Sequence, residues 1–365
     1  MIITRCELAR LRVPLKTPFK TALRTVEQVD DVVVLLHTHT GHVGHGSAAA
    51  TAAITGDTHG SIIDAIRLYI APRLIGCDVA ELNRNASLIQ TALHGNTSAK
   101  AAVDMALHDL WGQLHQAPLY RLLGGGTPQL QTDITISAND VDTMVRDALQ
   151  AVDQGYVALK IKLGKEPPHD VARVRAIHAA VQGRATLRLD ANQGWSAKQT
   201  VRMLRTLEAA GIPLELIEQP VPARDLTGLR NIAERVDTPV LADESVFGPR
   251  DAIALLQQHG ADMLNIKLMK SGGIGAALQL ADIAALHGVP CMMGCMLESS
   301  IGVTAAAHVA IARADTIRCI DLDGPSLCRY DPVDGAAHFD GPHIRINDAP
   351  GLGIRSIRGL EPIAD

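Results

Sequence analysis

The sequence contains few aromatic residues and no excess of positive charge. Phenylalanine, tryptophan and tyrosine together make up 2% of its 365 residues, which argues against the base-stacking surfaces of proteins that bind single-stranded nucleic acid. Its 34 lysine and arginine residues are dispersed and are outnumbered by 39 aspartate and glutamate residues, for a formal net charge of -5. Because nucleic acids and anionic membranes are recognised by basic stripes, we expect neither as a partner.

Long apolar segments and paired cysteine motifs are also missing. No apolar run reaches the roughly 18 residues that a bilayer-spanning helix requires, and the opening residues MIITRCELARLRVPL alternate like a strand rather than resembling a signal peptide. We therefore expect a cytoplasmic protein. The six cysteines are scattered, which favours reduced thiols over a disulfide framework. Cys291 and Cys295, in CMMGC, fit a buried strand better than a metal or redox motif.

What the sequence does contain is a series of apolar segments that each end in polar or charged residues. Amphipathic segments long enough for a helix, such as residues 197–210, separate them. From Lys162 to Asp190 is 28 residues, and Glu218, Asp243 and Lys267 follow after 28, 25 and 24 more. One charged group per βα unit predicts a parallel barrel. The five segments are VALKIKLG (157–164), TLRLDANQGW (186–195), LELIEQP (214–220), PVLADES (239–245) and MLNIKLMK (263–270).

Eight strand candidates follow LLGGGTP at residues 122–128, a segment whose glycines and proline mark the best domain boundary. Helical patterns separate every consecutive pair of strands, but no clear amphipathic helix follows the eighth. We therefore predict a (β/α)7β TIM-like barrel, an α/β fold, at residues 126–324. The candidates are residues 130–137, 157–163, 186–191, 214–220, 239–244, 263–268, 290–295 and 319–323.

A smaller α+β capping domain is predicted for residues 1–125. A barrel needs only about 200 to 250 residues, so the chain has room for this second unit. Two strands, three helices and two loops are expected in it, and Arg24 should be exposed in the first loop. The segment 325–365, rich in glycine, proline and aspartate, should return to complete the domain. The strands are predicted at 1–15 and 30–46, the helices at 60–74, 80–94 and 97–115, and the loops at 17–28 and 50–60.

Three carboxylates are expected at neighbouring strand ends, at the mouth of the barrel where active sites form. Asp190, Glu218 and Asp243 would repel one another strongly unless a positive charge lay among them. A hard divalent cation with oxygen ligands removes that repulsion, so we predict Mg2+ as cofactor. Any one of the three alone would more often cap a helix.

Three lysines are expected inside the barrel. Lys160 and Lys162 are two residues apart on one strand and therefore share a face, while Lys267 belongs to the sixth strand. Strands two and six of eight lie four steps apart, so Lys162 and Lys267 should approach a central ligand from opposite sides. A single lysine at a strand end often extends its charged end into solvent while its apolar stem stays buried. That explanation fits three lysines within apolar strands poorly.

Two amines on either side of one carbon can remove a proton from one face and return one to the other, which inverts a stereocentre. A metal bound to the adjacent carboxylate stabilises the resulting enediolate by several kcal/mol. For a lysine to act as base near neutrality, its pKa must fall from about 10.4 to roughly 7 to 8. Burial and the neighbouring cations, including Lys160, are expected to supply that decrease.

At these residues the sequence resembles the enolase superfamily, in its muconate-lactonising subgroup. KIK, DANQGW, IEQP, ADES and NIKLMKSGG stand in that group's order, and the similarity covers nearly the whole chain. The resemblance implies Mg2+ bound by the three carboxylates, two lysine bases and an assisting Lys160. It also implies supporting roles for Asn192 and Glu244.

Further features resemble the dipeptide epimerases of this subgroup, in particular those acting on L-Ala-D/L-Glu. Asp321 and Asp323, in DLDG, match the residues that hold the substrate's free ammonium, and Arg24, in FKTALRTV, matches an arginine for the side-chain carboxylate of the second residue. Thr135 and Leu297 are further candidate substrate contacts. The resemblance implies epimerisation of L-Ala-L-Glu to L-Ala-D-Glu in murein peptide metabolism, by a cytoplasmic homo-oligomer.

Other functions stay open on the sequence alone. The same intermediate serves N-succinylamino acid racemases, o-succinylbenzoate synthases, cycloisomerases and epimerases of other dipeptides. A Schiff-base lysine enzyme would use the same barrel without depending on a metal. A catalytically silent binding protein would not need the full set of charged strand ends. The seventh-strand segment MMGCMLESS is unusually rich in cysteine and methionine, which could reshape the pocket near Leu297.

Overall fold

The computed structural model describes residues 1–22, 24–164 and 166–364. Its N-terminal part is an antiparallel sheet in which β1 (Ile3–Lys20), β2 (Thr25–Thr38) and β3 (Val43–Ala49) are neighbours. The loop predicted at 17–28 is instead mostly strand, because Phe19 pairs with Val26 and Lys20 with Thr25. β1 and β2 form a hairpin, and their backbone pairing continues beyond the residues that alternate between apolar and polar. It resumes after an irregularity between Pro14 and Phe19.

Helices cover one face of this sheet and agree with the three predicted helical segments. The first contains a π-helical stretch, Ala65–Ile70, and the 50–58 segment before it has no helix or strand, as predicted. The helix Thr97–Leu114 lies directly on β3. A β-carbon at Gly44 would come within 2.1 Å of the Ala106 carbonyl oxygen, and one at Gly46 within 1.9 Å of the Ala102 carbonyl oxygen. The helices are α1 (His59–Asp64), α2 (Ala71–Leu74), α3 (Leu82–Gln90) and α4 (Thr97–Leu114).

A short helix, α5 (Leu119–Leu122), leads into three consecutive glycines with positive φ angles, Gly124 to Gly126. The segment predicted as one strand at 130–137 then forms two. Its first half, β4 (Gln129–Gln131), leaves the barrel to pair with residues near 345, and its second half, β5 (Ile134–Ile136), begins the barrel. We propose domain boundaries at 1–125 with 325–365 and at 126–324.

Eight parallel strands follow one another in sequence order around the barrel, as predicted. The amide of Asp133 donates to the carbonyl of Ile320 at 3.2 Å, which joins the first and last strands. The remaining strands are β6 (Ala158–Lys162), β7 (Thr186–Asp190), β8 (Leu216–Glu218), β9 (Val240–Ala242), β10 (Met263–Ile266), β11 (Cys291–Gly294) and β12 (Ile317–Asp321).

Helices separate these strands along the chain and form the outer layer of the barrel. The sixth strand is shorter than predicted, because residues 268–271 form a helical turn for which the extended Lys267 is the N-cap. The helices are α6 (Val141–Asp153), α7 (Pro167–Val181), α8 (Ala197–Ala209), α9 (Leu226–Ala233), α10 (Pro249–Gln257), α11 (Leu268–Ser271), α12 (Ile274–Leu286) and α13 (Ser300–Ala312).

The C-terminal segment returns to the first part of the chain, as its composition predicts. Its last strand pairs antiparallel with β1, while two of its strands extend the small sheet begun by β4. Within the described residues, no helix is long and apolar enough to cross a membrane. The segment contains α14 (Gly324–Leu327), β13 (Val333–Asp334), β14 (His338–Asp340), β15 (His343–Arg345), β16 (Ser356–Ile357) and β17 (Glu361–Pro362).

Candidate active site

A cavity at the carboxyl ends of the barrel strands gathers most of the predicted site residues. The turn between β1 and β2 and the 50–58 segment of the capping domain close it from the other side, through Phe19 and Ile54 among others. The predicted residues that line it are Arg24, Thr135, Lys160, Lys162, Asn192, Lys267, Leu297, Asp321 and Asp323.

Lys162 and Lys267 enter this cavity from different walls of the barrel. Lys162 ends β6 and Lys267 follows β10, and the strand order places these strands four steps apart in either direction. The Lys162 ammonium lies 2.6 Å from Asp190 Oδ2 and 5.9 Å from the centre of the Phe19 ring. The Lys267 ammonium lies 2.7 Å from Asp243 Oδ2. Two cationic side chains thus face one space from opposite sides.

Lys160 occupies the middle of the charged cluster. Its side chain is buried, and its Nζ lies 2.6 Å from Asp321 Oδ2, 2.7 Å from Glu218 Oε2 and 3.4 Å from Asp190 Oδ2. Burial by itself lowers the pKa of this lysine, but the three carboxylates outweigh burial and raise the pKa well above its ordinary value. Lys160 is therefore a permanent positive charge in this arrangement, which suits an electrostatic role.

The expected decrease in base pKa is not found for Lys267 in this arrangement. Burial lowers its pKa, but Asp243 and then Glu218 raise it, and the net direction is upward. The carboxylates that surround the ammonium here are the same ones that the sequence assigns to a metal.

The three predicted metal ligands lie at adjacent strand ends, as expected. Asp190 and Glu218 are the last residues of β7 and β8, Asp243 directly follows β9, and all three are buried. Burial and the proximity of Asp190 raise the pKa of Glu218 to about 7. Burial also raises the pKa of Asp243, but Lys267 and Lys270 outweigh it and hold that pKa low.

Two asparagines orient these carboxylates. Asn192 has a positive φ of 43°, a conformation that asparagine tolerates better than most residues. Its backbone N–H donates to Asp190 Oδ1 at 2.8 Å, and its side-chain amide donates to Asp190 Oδ2 at 3.3 Å. The Asn265 side chain donates to Glu218 Oε1 at 2.9 Å. Sequence reasoning missed Asn265, although its position two residues before Lys267 on β10 puts it on the same face.

The chemistry of this donor set fits a hard divalent cation, since it consists of carboxylate oxygens. Both side-chain oxygens of the buried Glu244 lack a hydrogen-bond partner within the described residues, and burial together with Asp243 raises its pKa to about 8. The cluster therefore has unpaired oxygen atoms. Lysine side chains lie between the carboxylates of this cluster. Among the described residues, no three His, Cys, Asp or Glu side chains are placed so that they could hold a metal ion as they stand.

The two predicted ammonium-binding residues differ in their surroundings. Asp321 is paired with Lys160, whereas Asp323 lies past the strand end and accepts from the Thr135 amide at 2.7 Å. The prediction that both lie on one face of the eighth strand is wrong, because the strand ends at Asp321 and Asp323 already has helical backbone angles. Burial and Asp321 raise the pKa of Asp323 to about 6.

Arg24 is not exposed, contrary to expectation. It lies in the turn between β1 and β2, is partly buried, and lines the cavity. Burial lowers its pKa. No carboxylate among the described residues pairs with its guanidinium, so a partly buried positive charge is available to a ligand.

Comparison with known proteins agrees with this arrangement. Residues 4–124 match the model of the mandelate racemase/muconate lactonizing enzyme N-terminal domain, and residues 143–357 match the enolase C-terminal domain-like model. The chain therefore belongs to the mandelate racemase/muconate lactonizing enzyme family of the enolase superfamily. Within it, the L-Ala-D/L-Glu epimerase of Clostridium acetobutylicum is 50% identical over 357 residues, covering 98% of this chain and 99% of the relative.

Two solved structures are similar along nearly the whole chain. A substrate-liganded complex of the Bacillus subtilis L-Ala-D/L-Glu epimerase is 45% identical, with a TM-score of 0.96 and coverage of 98% of this chain and 99% of that one. A dipeptide epimerase from Enterococcus faecalis complexed with Mg and L-Leu-L-Tyr is 39% identical, with a TM-score of 0.94 and coverage of 98% and 100%.

Proposed function

We propose that the protein is an isomerase that epimerises the second residue of a dipeptide, with L-Ala-L-Glu and L-Ala-D-Glu as the preferred pair. The observation that carries this proposal is that Lys162 and Lys267 face one cavity from opposite walls of the barrel. Such a pair suits removal and return of a proton on the two faces of one α-carbon. The names of the similar proteins support the dipeptide as substrate.

Mg2+ is the cofactor in this proposal, and Asp190, Glu218 and Asp243 would hold it. When bound, it supplies a Lewis acid that stabilises negative charge developing on the substrate's terminal carboxylate. Lys160 adds a second positive charge at the same end of the barrel. Asn192 orients Asp190 through its backbone amide, and Glu244 supports the cluster as a buried carboxyl group next to Asp243.

The lysines exchange the proton of the second residue. One lysine takes the α-proton from one face as an amine, and the other delivers a proton from the opposite face as an ammonium. In the reverse direction the roles exchange.

The rest of the cavity would recognise the two ends of the dipeptide. The Arg24 guanidinium binds the side-chain carboxylate of the second residue. Asp323, with support from Asp321, accepts hydrogen bonds from the free ammonium. Thr135 positions Asp323 through its amide, and Leu297 supplies an apolar contact.

Deuterium exchange tests this proposal. Each epimer of Ala-Glu is incubated with the protein in D2O with Mg2+, and mass spectrometry follows the gain of one mass unit at the α-carbon. We expect both epimers to exchange and interconvert, and EDTA to stop both processes. A protein that incorporates no deuterium from either epimer would exclude the proposal.

The substitution Asp323→Ala separates dipeptide epimerisation from the other reactions of the superfamily. Racemases of N-succinylated amino acids and lyases act on substrates without a free ammonium, so they do not need this carboxylate. We expect Asp323→Ala to lower kcat/KM on Ala-Glu strongly. Homo-oligomer formation, cytoplasmic location and a place in murein peptide metabolism stay predictions.

A further inference from the structure

A fourth buried lysine, Lys270, lies beside the site but has no part in the proposed reaction. It belongs to α11, immediately after Lys267, and its side chain is 1% exposed. Its Nζ lies 2.6 Å from Asp243 Oδ1. It also donates to three backbone carbonyls, those of Asp243 at 2.5 Å, Asn265 at 3.0 Å and Val246 at 3.1 Å.

These contacts connect the two strand ends that matter most to the proposed chemistry. Asp243 and Val246 belong to the segment after β9, whereas Asn265 belongs to β10 and directly precedes the segment that carries Lys267. An ammonium has three donors, and four oxygens surround this one, so every donor has an acceptor within reach. A lysine buried so completely is stable only when its charge is compensated in this way.

Lys270 and Lys267 share the Asp243 carboxylate between them. Lys270 contacts Oδ1, and Lys267 contacts Oδ2. Lys270 therefore restricts the rotation of the Asp243 carboxylate. It does so from behind the cavity, because Lys270 is not one of the cavity-lining residues. With Oδ1 held by Lys270, Oδ2 is the oxygen that contacts Lys267, which lines the cavity.

We propose that Lys270 is a positioning residue that orients Asp243 for the divalent cation and fixes the start of α11, and hence Lys267, relative to β9. This inference rests on the proposed function, because it assigns Asp243 to Mg2+. Lys270 acts through Asp243 and the backbone and touches neither substrate nor reacting atoms. Partners that orient a metal ligand typically contribute 10- to 100-fold to metal affinity or activity.

The test measures Mg2+ binding directly, by calorimetric titration of the full chain in the absence of dipeptide. The variants are Lys270→Met, which keeps the length of the apolar stem and removes the charge, and Lys198→Met as a matched control at an exposed lysine on α8. We expect Lys270→Met to bind Mg2+ roughly 10- to 100-fold more weakly and Lys198→Met to match the unchanged protein. Circular dichroism and thermal melting establish that each titrated sample is folded.

A purely structural role for Lys270 predicts a different result. It would lower the melting temperature of Lys270→Met and leave the Mg2+ affinity of the folded protein within about twofold of the original, and that outcome would overturn the proposal. If Lys270→Met does not fold, Lys270→Gln, which retains donors for the carbonyls, replaces it with the same expectation. If neither variant folds, the residue is structural and the proposal is wrong.

The same titration separates failure of this inference from failure of the proposed function. An unchanged protein that neither binds Mg2+ nor incorporates deuterium from Ala-Glu refutes the proposed function. Binding and exchange by the unchanged protein, together with equally tight binding by Lys270→Met, refute only the role of Lys270.

Discussion

Replacing Arg24 by Met should change which dipeptides the protein prefers rather than remove its activity. Arg24 lines the cavity from the capping domain, while both lysines come from the barrel. Its guanidinium has no carboxylate partner among the described residues and is partly buried. A substrate carboxylate would therefore gain a charge-assisted hydrogen bond there without breaking an existing ion pair.

The expected size of the effect follows from that geometry. A hydrogen bond to a charged group contributes about 1.5 to 3 kcal/mol, which corresponds to roughly 10- to 150-fold in kcat/KM at about 1.4 kcal/mol per factor of ten. The unpaired state of Arg24 places the effect within this range rather than near zero. A dipeptide with an apolar second residue makes no such bond and should lose little.

The assay compares kcat/KM for L-Ala-L-Glu and L-Ala-L-Leu in the unchanged protein and in Arg24→Met. Lys20→Met is the control, because Lys20 lies on the same hairpin but does not line the cavity. The ratio of the two kcat/KM values should fall in Arg24→Met alone. An equal loss on both dipeptides, or no loss on either, would refute the assignment of Arg24 to the side-chain carboxylate.

Three further predictions concern the lysines, the loop after β11 and the barrel interior. Lys162→Ala and Lys267→Ala should each abolish interconversion of the epimers, while α-deuterium exchange from one epimer survives; full interconversion by either variant would contradict the two-base geometry. Burial and the nearby Asp31 raise the pKa of Glu298 to about 8 from an ordinary 4.5, so the folded protein binds more protons than the unfolded chain between these values and stability falls as pH rises through them. The melting temperature should fall less between pH 5 and pH 8 in Glu298→Gln than in the unchanged protein, and an equal fall in both would contradict this. Arg188→Met leaves the buried Asp133, 2.8 Å from the guanidinium, without its partner and should cost about 3 to 5 kcal/mol of unfolding free energy, measured by urea titration against the exposed Arg146→Met.

The barrel could be predicted because its repeat is local. Each βα unit carries its own alternation of apolar strand and amphipathic helix, so strand order and strand ends can be deduced without knowledge of distant contacts. The split of the first strand could not be deduced in this way. β4 pairs with β15, more than 200 residues later in the chain, and no local pattern between residues 129 and 136 signals that partner.

The membership of the site was also more predictable than its contacts. The carboxyl ends of parallel strands meet at one edge, which brings Lys162, Asp190 and Glu218 together whatever the side chains do. Which charge pairs with which depends on distances across the barrel, so the contact of Lys160 with Asp321 and the raised pKa of Lys267 were not foreseen. The sequence predicts an exposed loop at Arg24 because the alternating pattern of β1 and β2 ends before the last residues that pair in the hairpin.

The pairing of β17 with β1 has a consequence for how the protein is made. Ala9 and Arg10 find their strand partners at Pro362 and Glu361, which leave the ribosome only after every barrel strand has been synthesised. Until then the outer edge of β1 has unsatisfied hydrogen-bonding groups, and such edges invite pairing with other nascent chains. Three strands of the capping sheet are thus translated before the barrel, but the fourth strand follows it, so the sheet is complete only after the barrel has been synthesised.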